Sequence, residues 1–243
     1  GISGALIIFV IVRFELSFDS FHQDSDRIYR VLSGSPRDPV LGDAGAPHRL
    51  DELIEDEFSE VEQTAVASKL NPQKVQLEIN DEYTREKNVA FVTPSFYEIF
   101  NFEWIVGSPE KSLSEAGQVV VDEEIAEKYF QGDAMGKRIR LNNKYDLIVS
   151  GIIKKMPANT DFPISLSVSH ITYAQSDEYK EQYEPSRSSL YQVFVKLREG
   201  ASAEQVNARF PAMVEKYLDK ETAEKYLTHE LQPIEEAHYS TNI

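Results

Sequence analysis

Residues 2–12, Ile-Ser-Gly-Ala-Leu-Ile-Ile-Phe-Val-Ile-Val, form an eleven-residue run without a charge, and Arg13 and Glu15 come directly after it. Nothing else in the chain limits its folding so strongly, because a stretch this apolar must find somewhere to leave water. A helix needs about 20 such residues to cross the hydrocarbon of a bilayer. Three readings meet that shortfall. The run is the core of a signal peptide, although its basic flank then lies on the wrong side and no small-residue cleavage site follows. Or it is a buried segment of a globular core. Or it is the trailing half of a membrane helix whose first half precedes Gly1. The run by itself leaves all three open.

Beyond the run the chain is globular in character. It has 243 residues, enough for one large domain or two small ones, and its 13 Phe and 12 Tyr argue against disorder. The 25 basic and 41 acidic residues give a formal charge of −16. A surface this acidic repels phosphate backbones, so nucleic acid is excluded as a partner. There is no cysteine, which removes disulfides, thiolate metal sites and a cysteine nucleophile.

Hydrophobic periodicity sets out the elements. A helix is expected from the apolar start to about Phe21, then a strand over 27–32. Residues 33–47, rich in Gly, Pro and Asp, read as a loop. Pro47 suits a first helical turn, and Leu50, Leu53, Ile54 and Phe58 come next at helical spacing. Residues 61–70 read as a strand. Val75, Leu77 and Ile79 alternate, Asn80-Asp81 turns, and the chain returns through Tyr83 to Val92 as a hairpin. Thr93-Pro94 opens a short helix carrying Phe96, Tyr97, Ile99 and Phe100. Val119-Val120-Val121 is a buried strand, and Asp122 caps the helix behind it.

Gly132 and Gly136 bracket a turn. A second hairpin runs through Leu141, Asn142-Asn143 and Tyr145 to Ile153, and a strand comes after it near 162–168. Residues 173–190 read as irregular. Residues 191–197 carry apolar side chains on both faces and read as a central strand. Ser202 and Gln205 open a helix that Pro211 should kink or split, and 227–231 is a last strand. The fold class is α+β.

Catalytic patterns fail. The run from Gly132 to Lys137 has one residue too few between its glycines for a phosphate loop, and Arg138 stands where Ser or Thr should hold Mg²⁺. The closest His pair, His229 and His238, is nine residues apart, so no helix face presents two metal ligands. An EF-hand loop starting at Asp24 would put Ile28 and Tyr29 at positions that need an oxygen ligand and a glycine, so Asp19, His22, Asp24 and Asp26 read as polar capping at a helix end. Tyr83, Trp104 and Tyr173 read as core aromatics rather than a sugar platform. No catalytic, cofactor-binding or metal residue is assigned, and no cofactor is expected.

The run Phe14-Glu15-Leu16-Ser17-Phe18-Asp19-Ser20-Phe21-His22, with Asp26-Arg27-Ile28-Tyr29-Arg30-Val31, resembles the segment joining the first membrane helix of MacB-like permeases to their periplasmic core domain. These are the FtsX-like permeases of ABC transporters. Val119-Val120-Val121, the helix through Tyr129-Phe130, Met135-Gly136-Lys137 and Leu141-Asn142 resemble the family's strand, helix and Gly-Lys turn. The closing run from Leu231 to His238 resembles the approach to the second membrane helix.

The resemblance implies a porter-like βαβ subdomain built from both chain ends, 27–103 and 165–243, with a smaller β-rich, Sabre-like subdomain inserted at 104–164. Residues 1–26 would be the trailing part of the first membrane helix and a stem. Ile7, Phe9, Phe14, Phe18 and Phe21 would form the anchor and stem, with Phe14, Phe18 and Phe21 packed on the domain. Arg27, Tyr29, Arg30, Gly136 and Lys137 would be structural motif residues.

The implied function is non-catalytic: an extracytoplasmic domain that passes ATP-driven conformational change to cargo or partner proteins, in efflux or in lipoprotein or peptide export. The implied partners are a cytoplasmic ABC ATPase, a second permease copy, and a periplasmic adaptor or cargo protein, with the permease in the inner membrane and this domain in the periplasm. The rival readings are a secreted glycan- or peptide-acting enzyme and a stand-alone periplasmic binding module.

Overall fold

The computed structural model describes residues 2–35, 38–43, 45–71, 75–181, 191–217 and 228–239. Helix α1, Ile2–Glu15, stands away from the rest of the chain, with Ile7 61 % and Phe9 58 % exposed. The apolar run is therefore no segment of this domain's core. At 14 residues α1 is shorter than a membrane span, and no described helix is long and apolar enough to cross a membrane.

The helix also stops earlier than Phe21. Ser17 Oγ donates to the Phe14 carbonyl at 2.6 Å, competing with the next helical turn. Asp19 then takes a left-handed backbone (φ 53°) that ends the helical path.

The ends of the chain interlock. Strand β1, Ile28–Ser35, leads through helix α2, Leu50–Glu57, to β3, Val61–Lys69. Strand β12, Tyr191–Leu197, leads through helix α8, Ala203–Tyr217, to β13, Thr228–Pro233. In the sheet these four lie in the order β13-β1-β12-β3, with every neighbouring pair antiparallel. This is a pair of split βαβ units. Both helices cover one face, where Phe58 of α2 meets Phe210 of α8 edge-on at 5.2 Å.

Alternation along β12 shows how both faces are filled. Val193 and Val195 point into the helix-covered layer, while Phe194 points into the opposite one. That opposite layer holds Phe96, Tyr97, Phe100 and Phe162. It is covered by helix α3, Pro94–Ile99, and by a 3-10 helix, Ile234–Tyr239.

The sheet continues beyond β3 through β6, Val89–Val92, and β11, Leu166–Ser169, which pair in parallel. Between these two in sequence lie β7, Trp104–Val106, helix α4, Pro109–Ser112, β8, Gln118–Asp122, helix α5, Glu123–Phe130, β9, Arg138–Leu141, and β10, Tyr145–Ile153. Strand β8 pairs with β11 and, in parallel, with β10. Asp122 caps α5 as expected, its Oδ1 accepting from the Ile125 amide at 2.8 Å. The hairpin of β4, Leu77–Ile79, and β5, Glu82–Thr84, extends the sheet at β9. These strands enclose a third core layer around Val119, Val121, Ile139 and Leu147.

Several expectations are corrected. Residues 33–47 are not one loop: β1 runs on to Ser35 and pairs with β2, Asp38–Asp43. Pro47 does not open α2, because Arg49 sits left-handed (φ 67°) immediately before Leu50. The chain after Asn80-Asp81 does not return as one strand. Val89–Val92 is buried throughout and joins the centre of the sheet, leaving the short β5 to pair with β4. Only 166–169 of the segment near 162–168 is strand, while Phe162 and Ile164 fill the core from a loop.

Residues 170–181 hold two short helices, α6, His170–Ala174, and α7, Asp177–Glu181; residues 182–190 of the expected irregular segment lie outside the described residues. Pro211 does not split α8. Its missing N–H would have bonded the carbonyl of Asn207, whose side chain instead accepts from the Leu231 amide of β13 at 2.9 Å.

Candidate functional site

Polar contacts of residues 15–22 gather at one place, the base of α1. The turn after α1 delivers Asp19 into the protein, fully buried. Its carboxylate accepts from Thr160 Oγ1 at 2.6 Å and from the Asp161 amide at 3.0 Å. The Asp19 amide donates to the Asn159 carbonyl at 3.1 Å, and Asn159 Nδ2 returns to the Ser17 carbonyl at 2.8 Å. His22, also buried, donates from Nδ1 to the Phe100 carbonyl at 2.9 Å, with Nε2 3.4 Å from Asp19 Oδ1. A buried carboxylate is tolerated only with such a full set of partners.

A second tie reaches the far end of the chain. His238, in the closing 3-10 helix, lies with Nε2 2.7 Å from Glu15 Oε2 and Nδ1 3.0 Å from Asp161 Oδ1. Both ring nitrogens face carboxylates, so the ring satisfies both only as the doubly protonated cation. Asp161 first, then Glu15, holds its pKa above the usual histidine value. Phe18 stacks on the same ring at 3.6 Å.

Behind the tie lie two cations. Lys69 Nζ donates to the Asp161 carbonyl at 3.4 Å, and burial lowers its pKa. Arg30 donates through Nε and Nη2 to Gln232 Oε1, and both Arg30 and Lys69 rest against the Phe162 ring. Phe162 belongs to the same core layer as Ile234 and Ala237 of the closing helix. Hydrogen bonds, an ion pair and packed rings thus join α1 to the sheet. These contacts include no nucleophile paired with a base.

The residues singled out in the sequence divide accordingly. Ile7 and Phe9 lie on the exposed helix. Of the three stem phenylalanines only Phe18 packs firmly. Phe14, 47 % exposed, leans edge-on against Phe18, and Phe21, 41 % exposed, lies beside His22.

Arg27 bridges Asp24 and Glu62, both at 2.8 Å, and donates to the Leu197 carbonyl, pinning the start of β1. Tyr29 packs under α8's layer and reaches the Asp26 carbonyl at 3.3 Å. Gly136 (φ 74°) and Lys137, paired with Asp133 at 3.1 Å, form a turn that belongs to the third core layer's rim, apart from the stem. Residues 159–162 carry no motif in the sequence; Pro157 and Asn159 mark only a break between strands.

A further cluster of perturbed groups lies where α2, α6, α7 and β12 meet. Burial raises Asp51 to about 6 and lowers His170 to about 4. His48 and His170 lie among the rings of Tyr173, Tyr179 and Tyr191. Among the described residues no group of three His, Asp or Glu side chains is placed to hold a metal ion. Tyr83, Trp104 and Tyr173 do not gather: Tyr83 is 63 % exposed, and Trp104 and Tyr173 sit in different core layers.

Known proteins share this architecture. A domain of a protein described as a permease from Porphyromonas gingivalis superposes with a TM-score of 0.69 at 20 % identity, covering 87 % of this chain and 92 % of that one. The periplasmic region of MacB from Actinobacillus actinomycetemcomitans gives 0.59 at 13 % identity, over 86 % and 89 %. The extracellular domain of the noncanonic ABC-type transporter YknZ from Gram-positive bacteria gives 0.55 at 13 % identity, over 84 % and 99 %. No curated protein sequence matches the chain. The family model described as the MacB-like periplasmic core domain matches residues 1–213. The chain belongs to the family of MacB-like periplasmic core domains.

Proposed function

We propose that this domain transmits ATP-driven conformational change from the membrane helices of an ABC-transporter permease to cargo or partner proteins in the periplasm. The observation that carries the reading is the double tie at the stem base. Glu15 at the end of α1 meets His238 near the end of the described chain directly, and the same imidazole holds Asp161, so both membrane-side segments are tied to one loop through His238. In this reading α1, with Ile7 and Phe9, continues the first membrane helix, and Phe14, Phe18 and Phe21 form the stem. Arg27, Tyr29, Arg30, Gly136 and Lys137 hold the scaffold. The porter-like unit is 27–103 with 165–243, and the inserted Sabre-like unit is 104–164. A cytoplasmic ATPase supplies the energy, a second permease copy completes the transporter, and an adaptor or cargo protein receives the motion.

The test uses the full permease with its ATPase. The chain has no cysteine, so once any cysteine elsewhere in the permease is replaced, Tyr83→Cys, at the exposed edge of the sheet, accepts a single spin label per copy. The label-to-label distance between two copies should change between nucleotide-free and ATP-bound states. Glu15→Ala with His238→Ala should diminish that change while ATP hydrolysis persists. A distance that is the same in both nucleotide states refutes the proposal.

A further inference from the structure

Beside the stem base lies a cavity of about 220 Å³ whose walls include Phe21, His22, Glu103, Lys154, Lys155 and Met156. We propose that it binds the headgroup of a phospholipid carrying both a phosphodiester and a primary ammonium. The inference rests on the reading of α1 as a membrane anchor and goes beyond it by assigning a lipid-selective site.

Position is the first argument. Phe21 and His22 belong to the segment that continues α1 into the domain. Met156 and its neighbours continue into residues 159–162, which grip that segment through Asp19. The apolar run ends at Val12, three residues before Glu15, which is about 5 Å of helix. A lipid surface that takes up α1 therefore lies within about one helical turn of Glu15, and Phe21 and His22 of the cavity wall belong to the turn that follows it. Phe21, 41 % exposed, has the aromatic character found at membrane–water boundaries.

Charge is the second argument. Lys154 and Lys155 supply cations, but Lys155 Nζ lies 2.7 Å from Glu124 and Lys154 Nζ 3.9 Å from Glu123, and Glu103 adds a further carboxylate. A ligand with negative charge alone faces these carboxylates on a chain of net charge −16. A dipolar headgroup finds partners for both ends, with lysines for the phosphodiester and Glu103 for the ammonium. Size is the third. The volume lies below the range that holds drug-sized ligands, so it suits a small polar headgroup and leaves acyl chains outside.

The test titrates the whole chain with glycerophosphoethanolamine, the free headgroup, and follows the fluorescence of Trp104. This is the chain's one tryptophan, and it follows Glu103 directly. A saturable change is expected. Lys154→Gln with Lys155→Gln should weaken binding at least about tenfold. Glu103→Gln should weaken glycerophosphoethanolamine but not glycerol phosphate. Inorganic phosphate should bind at least about tenfold more weakly than the headgroup; equal binding would assign the cavity to free phosphate and overturn the proposal.

Flotation with phosphatidylethanolamine vesicles reads anchorage separately. A chain that floats but shows no saturable headgroup response, or whose double lysine variant responds as the parent does, overturns the headgroup site and leaves the anchor standing. A chain that does not float shows that α1 by itself does not take up a lipid surface, and it overturns the lipid source of the ligand.

Discussion

Replacing Asp19 by Asn isolates the first tie of the stem base. The side chain keeps its shape, and Asn tolerates the left-handed backbone at φ 53° as well as Asp does. What changes is that one carboxylate oxygen becomes an NH₂ group facing a donor. Thr160 Oγ1 can rotate to accept, whereas the Asp161 amide cannot. The amide nitrogen therefore turns toward Thr160, whose hydroxyl already accepts from the Phe162 amide at 3.1 Å. Two hydrogen bonds to a charged acceptor become bonds to a neutral one, and one is reversed. Charge-assisted bonds contribute about 1.5–3 kcal/mol and neutral ones about 1, so the loss should be about 2 kcal/mol. Asp19→Ala strands both donors and adds the left-handed strain, so it should cost about 4 kcal/mol.

Urea unfolding measures both, read as a lowered midpoint at unchanged m-value. Amide exchange should quicken at residues 17–22 and 159–162 before it does in β12. An Asp19→Asn variant within about 0.5 kcal/mol of the parent, with unchanged exchange at those residues, would show that the buried carboxylate does not hold the stem, and the argument for transmission through it would fail.

Other perturbations test the remaining features. His238 has a raised pKa, so the stability it lends is fully present below about pH 6.5 and is lost as pH rises through its folded value. Urea midpoints at pH 6 and pH 9 should show this decline in the parent and not in His238→Gln. Asp51 is raised and His170 lowered across the same window, so their effects oppose: between about pH 4 and 6, Asp51 favours the fold at the acid side and His170 at the alkaline side. Asp51→Asn should therefore make stability rise more steeply with pH over that window in the same titration. Gly151→Ala drives a methyl to 2.6 Å from Trp104 Cζ3 and 2.9 Å from Ser112 Oγ, and should lower stability by about 1–3 kcal/mol in urea. Asp122→Ala removes the cap of α5 and should cost about 1 kcal/mol by the same assay.

What the sequence made readable is local. Asn142-Asn143 between two alternating runs gave the β9–β10 hairpin, because both residues accept the left-handed turn such a hairpin needs. Seven apolar or long residues in a row placed β12 in the centre of the sheet. What stayed hidden depends on distant partners. Phe14, Phe18 and Phe21 recur at helical spacing, so the stem reads as helix to Phe21. It stops at Glu15 because Asp19 is held by residues about 140 positions away. Strand β2 contains Pro and Gly and looks like loop, and only its pairing with β1 makes it a strand. The Glu15–His238 pair is separated by 223 positions, and no local pattern announces it.

The same distance dependence bears on how the domain could carry force. A stem joined by a flexible linker would absorb a displacement of α1 by rotating a few backbone angles. Here the linker is seven residues, from Leu16 to His22, and three of them, Ser17, Asp19 and His22, are bonded to the domain. Glu15 of the first helix binds one nitrogen of the His238 ring in the closing 3-10 helix, and Asp161 binds the other. Moving either helix alone must break a bond to that ring. Moving both together with the 159–162 loop breaks none. In the proposed reading the two segments and the 159–162 loop therefore move as one unit, which Phe162 joins to the sheet layer that contains Phe100 and Phe194.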